Sequence, residues 1–264
     1  MTTDWTRLDA AIRSVEATGT RTGVAAIAPA GDRFRHNADQ RFAAASTIKI
    51  AIMIELFRQI DAGQHALDER RALHAADRAN GSGVMVHLHE GMEFTLNDLC
   101  YLMMSISDNT ATNMLMDIVG QERVNAAMRA LGITRSVLGR KMGQYNLGPE
   151  HDNYAVPDEF ADAIAAILNR RAASPASCAA MVAMLEKQQN DRRIARHLPK
   201  QDGPRWGTKT GSMPNVTNDV GFIMTGHGPL IIAVYTANQP DRNLAESQIG
   251  DIARAALESV ISLS

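Results

Sequence analysis

The chain has 264 residues, 45% of them hydrophobic and 21% charged, with a formal net charge of −2. That balance supplies an ample core and lacks the basic excess of a nucleic-acid binder. No run approaches the ~18 uninterrupted apolar residues of a membrane span, so neither a nucleic acid nor a membrane is an expected partner. Trp5, Leu8, Ile12 and Val15 recur at helical spacing and predict an N-terminal helix within residues 4–18. Val24-Ala25-Ala26-Ile27-Ala28 is a short apolar run, Pro29-Ala30-Gly31-Asp32 turns it, and Arg33-Phe34-Arg35 alternates like a returning strand. From Ser46 to about residue 195 the pattern is helical. Gly63 caps the end of the first of these helices, Thr95 opens another with Asp98 three residues on, and a third runs from Asn109 to Val119. Pro157 and Ser174-Pro175 open two more.

Strands return in the last quarter. The stretch from Trp206 to Ser212, the run Val220-Gly221-Phe222-Ile223-Met224, and Leu230-Ile231-Ile232-Ala233-Val234-Tyr235 precede a closing helix that carries Leu244, Ile249, Ile252, Ala256 and Val260. The predicted class is therefore α/β in content, an α+β sandwich. One antiparallel sheet, built from both chain ends, has the terminal helices on it and an all-helical subdomain inserted. The expected division is 1–44 with 197–264 for the first part and 45–196 for the second, as one structural unit. Residues 1–7 carry an early acid and no long apolar stretch, which does not read as a signal peptide, so a cytoplasmic location is expected. Cys100 and Cys178 cannot form a disulfide framework, and Cys100 reads as a small buried thiol. His87-Leu88-His89 lacks a third ligand at useful spacing, so loop histidines, no metal and no cofactor are expected.

Ser46-Thr47-Ile48-Lys49 carries the chemistry. Its serine and lysine lie three residues apart, on one face of a helix about one turn apart. A serine hydroxyl is a poor nucleophile without a base in hydrogen-bond reach, and a lysine kept neutral can be that base. Two further pieces follow in order. Ser107-Asp108-Asn109 comes after the apolar segment Leu99-Cys100-Tyr101-Leu102-Met103-Met104, and Lys209-Thr210-Gly211-Ser212 lies in a strand-like stretch. Ser46 and Lys209 are expected to meet at the seam between sheet and helical insert, a usual place for a pocket.

The sequence S-x-x-K, S-D-N, K-T-G, in this order and on this plan of elements, resembles the serine β-lactamase and penicillin-binding protein superfamily, class A type, across essentially the whole chain. The resemblance implies that Ser46 attacks a carbonyl and becomes acylated, and that Lys49 takes its proton. It implies that Lys209 helps to keep Lys49 neutral, since like charges nearby disfavour a second ammonium. Ser107 would relay a proton to the leaving nitrogen. Asn109 would hold Lys49 and the substrate amide. The N–H groups of Ser46 and Ser212 would form the oxyanion hole, with Lys209, Thr210 and Ser212 on a substrate carboxylate. Gly211 would let the strand come close. Asp108 is expected to be structural, bonding nearby backbone. The implied partner is a small-molecule substrate, and a monomer is favoured.

Three departures stand out. The family's deacylating glutamate, in an E-x-x-L-N pattern, is met here by Met142-Gly143-Gln144-Tyr145-Asn146. Asn146 fits, Met142 cannot accept a proton, and Glu150 is the nearby candidate to replace the lost base. Cys100 matches one half of a disulfide found in some class A enzymes, but Met53 occupies the other half. The arginine expected after K-T-G is absent from Met213-Pro214-Asn215-Val216-Thr217-Asn218-Asp219, and Arg205 lies upstream. The expected activity is opening of a cyclic amide, or cleavage of a related amide or ester, through a Ser46 acyl-enzyme. The alternatives are an acylating β-lactam sensor that deacylates poorly, and a cytoplasmic esterase or amidase of metabolism.

Overall fold

The computed structural model describes residues 2–144 and 147–261. Helix α1 (Thr6–Glu16) leads into β1 (Arg21–Ile27), β2 (Arg33–His36) and the short β3 (Phe42–Ala43). The middle of the chain holds α2 (Lys49–Asp61), β4 (Arg70–Ala72), β5 (Glu93–Thr95), α3 (Leu96–Ser105), α4 (Asn109–Val119), α5 (Gln121–Ala130), β6 (Tyr154–Ala155), α6 (Pro157–Leu168) and α7 (Pro175–Leu185). Three long strands, β7 (Trp206–Met213), β8 (Val216–Thr225) and β9 (Gly228–Ala237), and helix α8 (Arg242–Ile261) complete it. The main sheet is antiparallel, in the order β2-β1-β9-β8-β7, so β1 from the start of the chain pairs with β9 from its end, Val24 opposite Val234.

Both faces of this sheet are covered, which is why β1 and β9 read as continuous apolar runs rather than alternating ones. Val24, Ala26, Leu230, Ile232 and Val234 pack with Leu8, Ile12, Ile249, Ile252 and Ala256 of the terminal helices. Their neighbours in the chain, Ala25, Ile231, Ala233 and Tyr235, turn the other way and join the larger core with Ile48, Ile52, Phe57 and Phe160. The period-two alternation of a strand thus divides one apolar run between two cores.

The predicted elements are present, with two additions. Helix α5 follows Gly120, whose positive φ of 81° lets α4 stop and the chain re-enter a helix at once. The helical middle also holds two short antiparallel ribbons, β4 with β5 and β3 with β6. Segments of two or three residues are too short to show periodicity. Thr95 caps α3 as expected, with its side chain accepting from the Asp98 N–H and Asp98 reaching back to the Thr95 N–H. His87 and His89 lie in an exposed turn and loop, and among the described residues no group of three metal-binding side chains is present.

Candidate active site

Ser46 stands in a 3-10 turn, Ala45–Ile48, and α2 begins only at Lys49. The sequence pattern placed Ser46 on the α-helix itself. A 3-10 turn also sets residues three apart on one side, so the spacing of Ser46 and Lys49 is kept. Entry into the turn requires Ala45 at φ +46°, a left-handed conformation that a residue with a Cβ seldom adopts. Surrounding bonds hold it there. Thr47 Oγ1 donates to Ala44 O at 2.7 Å and lies 3.1 Å from the buried Tyr235 hydroxyl. Asn218 Nδ2 on β8 donates to Ala43 O at 2.9 Å and to Ala44 O at 3.2 Å.

Strand β7 closes against the same turn. A Cβ on Gly211 would stand 3.0 Å from both Ala44 O and Ser46 N, and 3.1 Å from Ala45 Cβ. Each contact is tighter than side chains normally tolerate, so glycine is what permits this approach. β7 is the edge of the sheet. Half of an edge strand's backbone groups face outward, without a strand partner. Here they face the Ser46 turn.

Lys49 is fully buried. Its Nζ lies 2.8 Å from Ser107 O, 3.0 Å from Ser107 Oγ and 3.0 Å from Asn109 Oδ1. Nζ donates to the two carbonyl oxygens and to the Ser107 hydroxyl, so once Lys49 has taken up a proton each of its three N–H groups has an acceptor. Burial first, and then the charge of Lys209, push the Lys49 pKa well below that of an ordinary lysine, with Asp108 pulling the other way. Lys209 is fully buried too, and burial lowers it to about 7; Asp219 opposes that shift and Arg193 adds to it.

Ser107 has φ +63° and leads straight into α4. Asp108 is buried and caps that helix: one oxygen accepts the Ala111 N–H at 3.0 Å, and the other accepts the N–H groups of Val84 at 2.6 Å and Met85 at 2.9 Å. The structural role expected for it agrees with these bonds. Asn109 donates from Nδ2 to Asn80 O and from its backbone to Ser82 O, both at 2.9 Å. The glycine-rich loop 80–83 is therefore stitched to the start of α4. Gly83 lies so close that a Cβ would fall 2.2 Å from Asp108 Oδ2.

On the opposite wall, Met142 is buried, and its backbone is bonded to the Asn113 side chain. Asn146 lies outside the described residues. Glu150 does not replace the missing base. It sits on an exposed turn, Pro149–His151, with its side chain 70% exposed and His151 3.7 Å away. Gly148 at φ +89° and Pro149 carry the chain outward just before it. The carboxylate on this wall is Asp152, which accepts from Arg140 Nε at 2.7 Å.

Two hollows of about 450 and 360 Å³ share Ser46, Ser82, Ser212 and Arg242. Ser107 and Thr210 face the first; Asn109 and Met142 face the second. Lys49 and Lys209 lie behind the wall, buried. The motif residues are thus gathered at one cleft, apart from Glu150 and the undescribed Asn146. Arg205 is directed elsewhere, onto Glu186 at 2.7 Å. The cations beside Ser212 are Arg193, Arg192 and Arg242, with Glu246 among them. Sequence reasoning missed all four. Only the charged run Asp191-Arg192-Arg193 hinted at them, because they come from a connecting loop and from the first turns of α8.

The whole chain has known relatives. Residues 7–260 match the family model for the β-lactamase enzyme family. The chain is 30% identical over 248 residues to β-lactamase CTX-M-4 of Salmonella typhimurium, covering 91% of this chain and 84% of that protein. It is similar to the crystal structure of a β-lactamase from Sphaerobacter thermophilus, at 53% identity and TM-score 0.95, covering 99% of this chain and 98% of that one. An ancestral class A β-lactamase superposes with TM-score 0.86 at 29% identity, over 95% of this chain and 99% of the other. Match length, identity and superposition agree, and the chain belongs to the β-lactamase enzyme family, built on the class A plan.

Proposed function

We propose that the protein is a serine hydrolase that opens the cyclic amide of a β-lactam through an acyl-enzyme on Ser46, acting as a monomer on a small-molecule substrate. The observation that carries this reading is the cage around Lys49: a fully buried amine, 3.0 Å from the Ser107 hydroxyl and one turn from Ser46. Neutral Lys49 takes the Ser46 Oγ proton as Oγ attacks the carbonyl carbon. The charge that develops on oxygen is met by the N–H groups of Ser46 and Ser212. The C–N bond then breaks, the ring nitrogen takes the Ser107 hydroxyl proton, and Ser107 is reloaded from the Lys49 ammonium. Lys49 ends the step neutral and Ser46 ends it as an ester. Water completes the cycle, releasing the ring-opened acid and restoring the Ser46 hydroxyl.

Water has poor help in that second half. Met142 stands where the family pattern calls for a glutamate, and Glu150 is out in solvent. This favours a long-lived acyl-enzyme and supports, as a second reading, an acylating sensor of β-lactams. An ester or amide substrate uses the same groups, the ester more easily because an alkoxide leaves more readily than an amine. Two buried, unpaired thiols, Cys100 and Cys178, suit a reducing compartment such as the cytoplasm. We also read the sheet with its terminal helices and the helical segment between as two lobes of one unit, with the cleft at their seam.

Intact-mass spectrometry during incubation with benzylpenicillin tests the reading. The expected result is an adduct on Ser46 that forms quickly, decays slowly with release of penicilloate, and is absent in Ser46→Ala. A Ser46→Ala protein that still forms the adduct, or a wild type that never does, overturns it.

A further inference from the structure

Behind the Met142 wall lies a third hollow, of about 300 Å³, lined among others by Asp77, Asn80, Asn113, Asp117 and Lys141. The ion pair of Lys141 Nζ with Asp117 Oδ2, 2.7 Å long, stands on its solvent side. A hollow this polar and this roomy holds water. Met142 is the one described residue that lines both this rear hollow and the cleft hollow beside Ser46.

The partition between the two hollows has a polar part and an apolar part. Asn109 lines the cleft side and Asn80 the rear side, and Asn109 Nδ2 donates to Asn80 O at 2.9 Å. Opening that part breaks a hydrogen bond. The apolar part is the side chain of Met142, which is 8% exposed and belongs to the larger core. Its backbone is pinned at both N–H and C=O by the Asn113 side chain, so the residue stays in place. A thioether has no proton to donate and accepts only weakly. It therefore neither orients a water molecule nor hands one on, and it fills the space through which one would pass.

We infer that the Met142 side chain is a water gate: it closes the partition between the rear hollow and the Ser46 ester. The acyl-enzyme is then long-lived because water is kept out, in addition to lacking a base. Once Ser46 is acylated, the ring-opened acid covers the cleft side, and the rear hollow is the reservoir that remains. For turnover, water adds to the ester carbonyl carbon, the bond from that carbon to Ser46 Oγ breaks, and the water proton ends on Oγ. The inference rests on the acyl-enzyme reading above and says what controls the lifetime of that species.

Hydroxylamine separates access from the want of a base, because it is a small uncharged nucleophile that attacks esters without one. Its nitrogen bonds to the carbonyl carbon, the bond to Ser46 Oγ breaks, Oγ takes a proton from the nitrogen, and a hydroxamate leaves. The benzylpenicillin adduct is formed first, freed of excess ligand, and followed by intact-mass spectrometry with and without hydroxylamine. The proteins compared are the wild type, Met142→Ala and Met142→Leu. Met142→Ala is expected to lose its adduct about tenfold faster than the wild type, in hydroxylamine and in water alone, whereas Met142→Leu, close in volume to methionine, keeps the wild-type lifetime. A wild type and a Met142→Ala protein equally sensitive to hydroxylamine overturn the inference, since a missing base alone leaves them alike. A Met142→Leu protein as labile as Met142→Ala overturns it too. Met142→Val, which shortens the side chain and keeps more of its packing, carries the test if Met142→Ala does not fold. A wild type that forms no adduct defeats the acyl-enzyme reading and this inference with it, a result distinct from every comparison of lifetimes.

Discussion

Met142 and Asn113 exchange two hydrogen bonds: the Met142 N–H donates to Asn113 Oδ1 at 2.8 Å, and Asn113 Nδ2 donates to Met142 O at 3.1 Å. The wall opposite Ser46 is therefore fixed by backbone, whatever side chain it carries. A carboxylate introduced there would be held at the cleft without new loop structure. Met142→Glu is expected to speed decay of the Ser46 adduct by roughly 10²–10⁴, the usual worth of a general base. Adduct lifetime by mass spectrometry, alongside turnover of a chromogenic cephalosporin, checks this. An unchanged lifetime would mean that water reaches the ester from another side.

The two buried lysines set the pH response. Lys49 must be neutral to act, so acylation fails on the acid side, at a pH well below that of an ordinary lysine because of burial and the charge of Lys209. Removing Lys209 takes away a repelling charge and lets Lys49 hold its proton more easily. In Lys209→Ala the acid limb of the limiting acylation rate should move to higher pH. Stopped-flow acylation across a pH series reads it, and a limb that stays in place would show that burial alone sets Lys49. Burial lowers the Lys209 ammonium itself to about 7. As pH rises through that value the free enzyme loses a cation that lies behind the cleft wall and adds to the positive field a carboxylate meets there. The acylation efficiency of benzylpenicillin should decline there, whereas that of its methyl ester should not.

Asp108 is a matter of stability. Removing its carboxylate strands three backbone donors, those of Val84, Met85 and Ala111. Asp108→Ala is expected to cost roughly 3 kcal/mol. For a chain of this size that is a fall in Tm of roughly 5–10 °C. Gly83→Ala should do similar damage from the other side, by driving a Cβ into Asp108. Scanning calorimetry gives both values, and a loss under ~1 kcal/mol in each would show that the 80–83 loop is not tied to α4 as described.

Much of this was legible in the chain. Long elements with a clear period, such as α6 and β9, announced themselves, and so did the three motifs. What escaped had physical reasons. β3 and β6 are two residues each, with no room for a period. The nucleophile's 3-10 turn looks like a helix start, because both place residues three apart on one side. Glu150 was close in sequence to the missing base, but Gly148 and Pro149 turn it away from the cleft. Arg193 and Glu246 lie 53 positions apart, and only the packing of α8 over the end of the sheet makes them neighbours.

The pairing of β1 with β9 ties the order of synthesis to the appearance of function. A ribosome that has released Ser46, Lys49 and Ser107 has delivered the reacting groups, but not Gly211, Asn218 or Tyr235, which brace them. The nascent polypeptide must keep β1 unmated on one side until β9 emerges, with Arg21 waiting for Ala237. Such distant partnerships slow the search for the native state, and a product clipped before β9 would keep every reacting side chain while lacking the framework that makes them reactive.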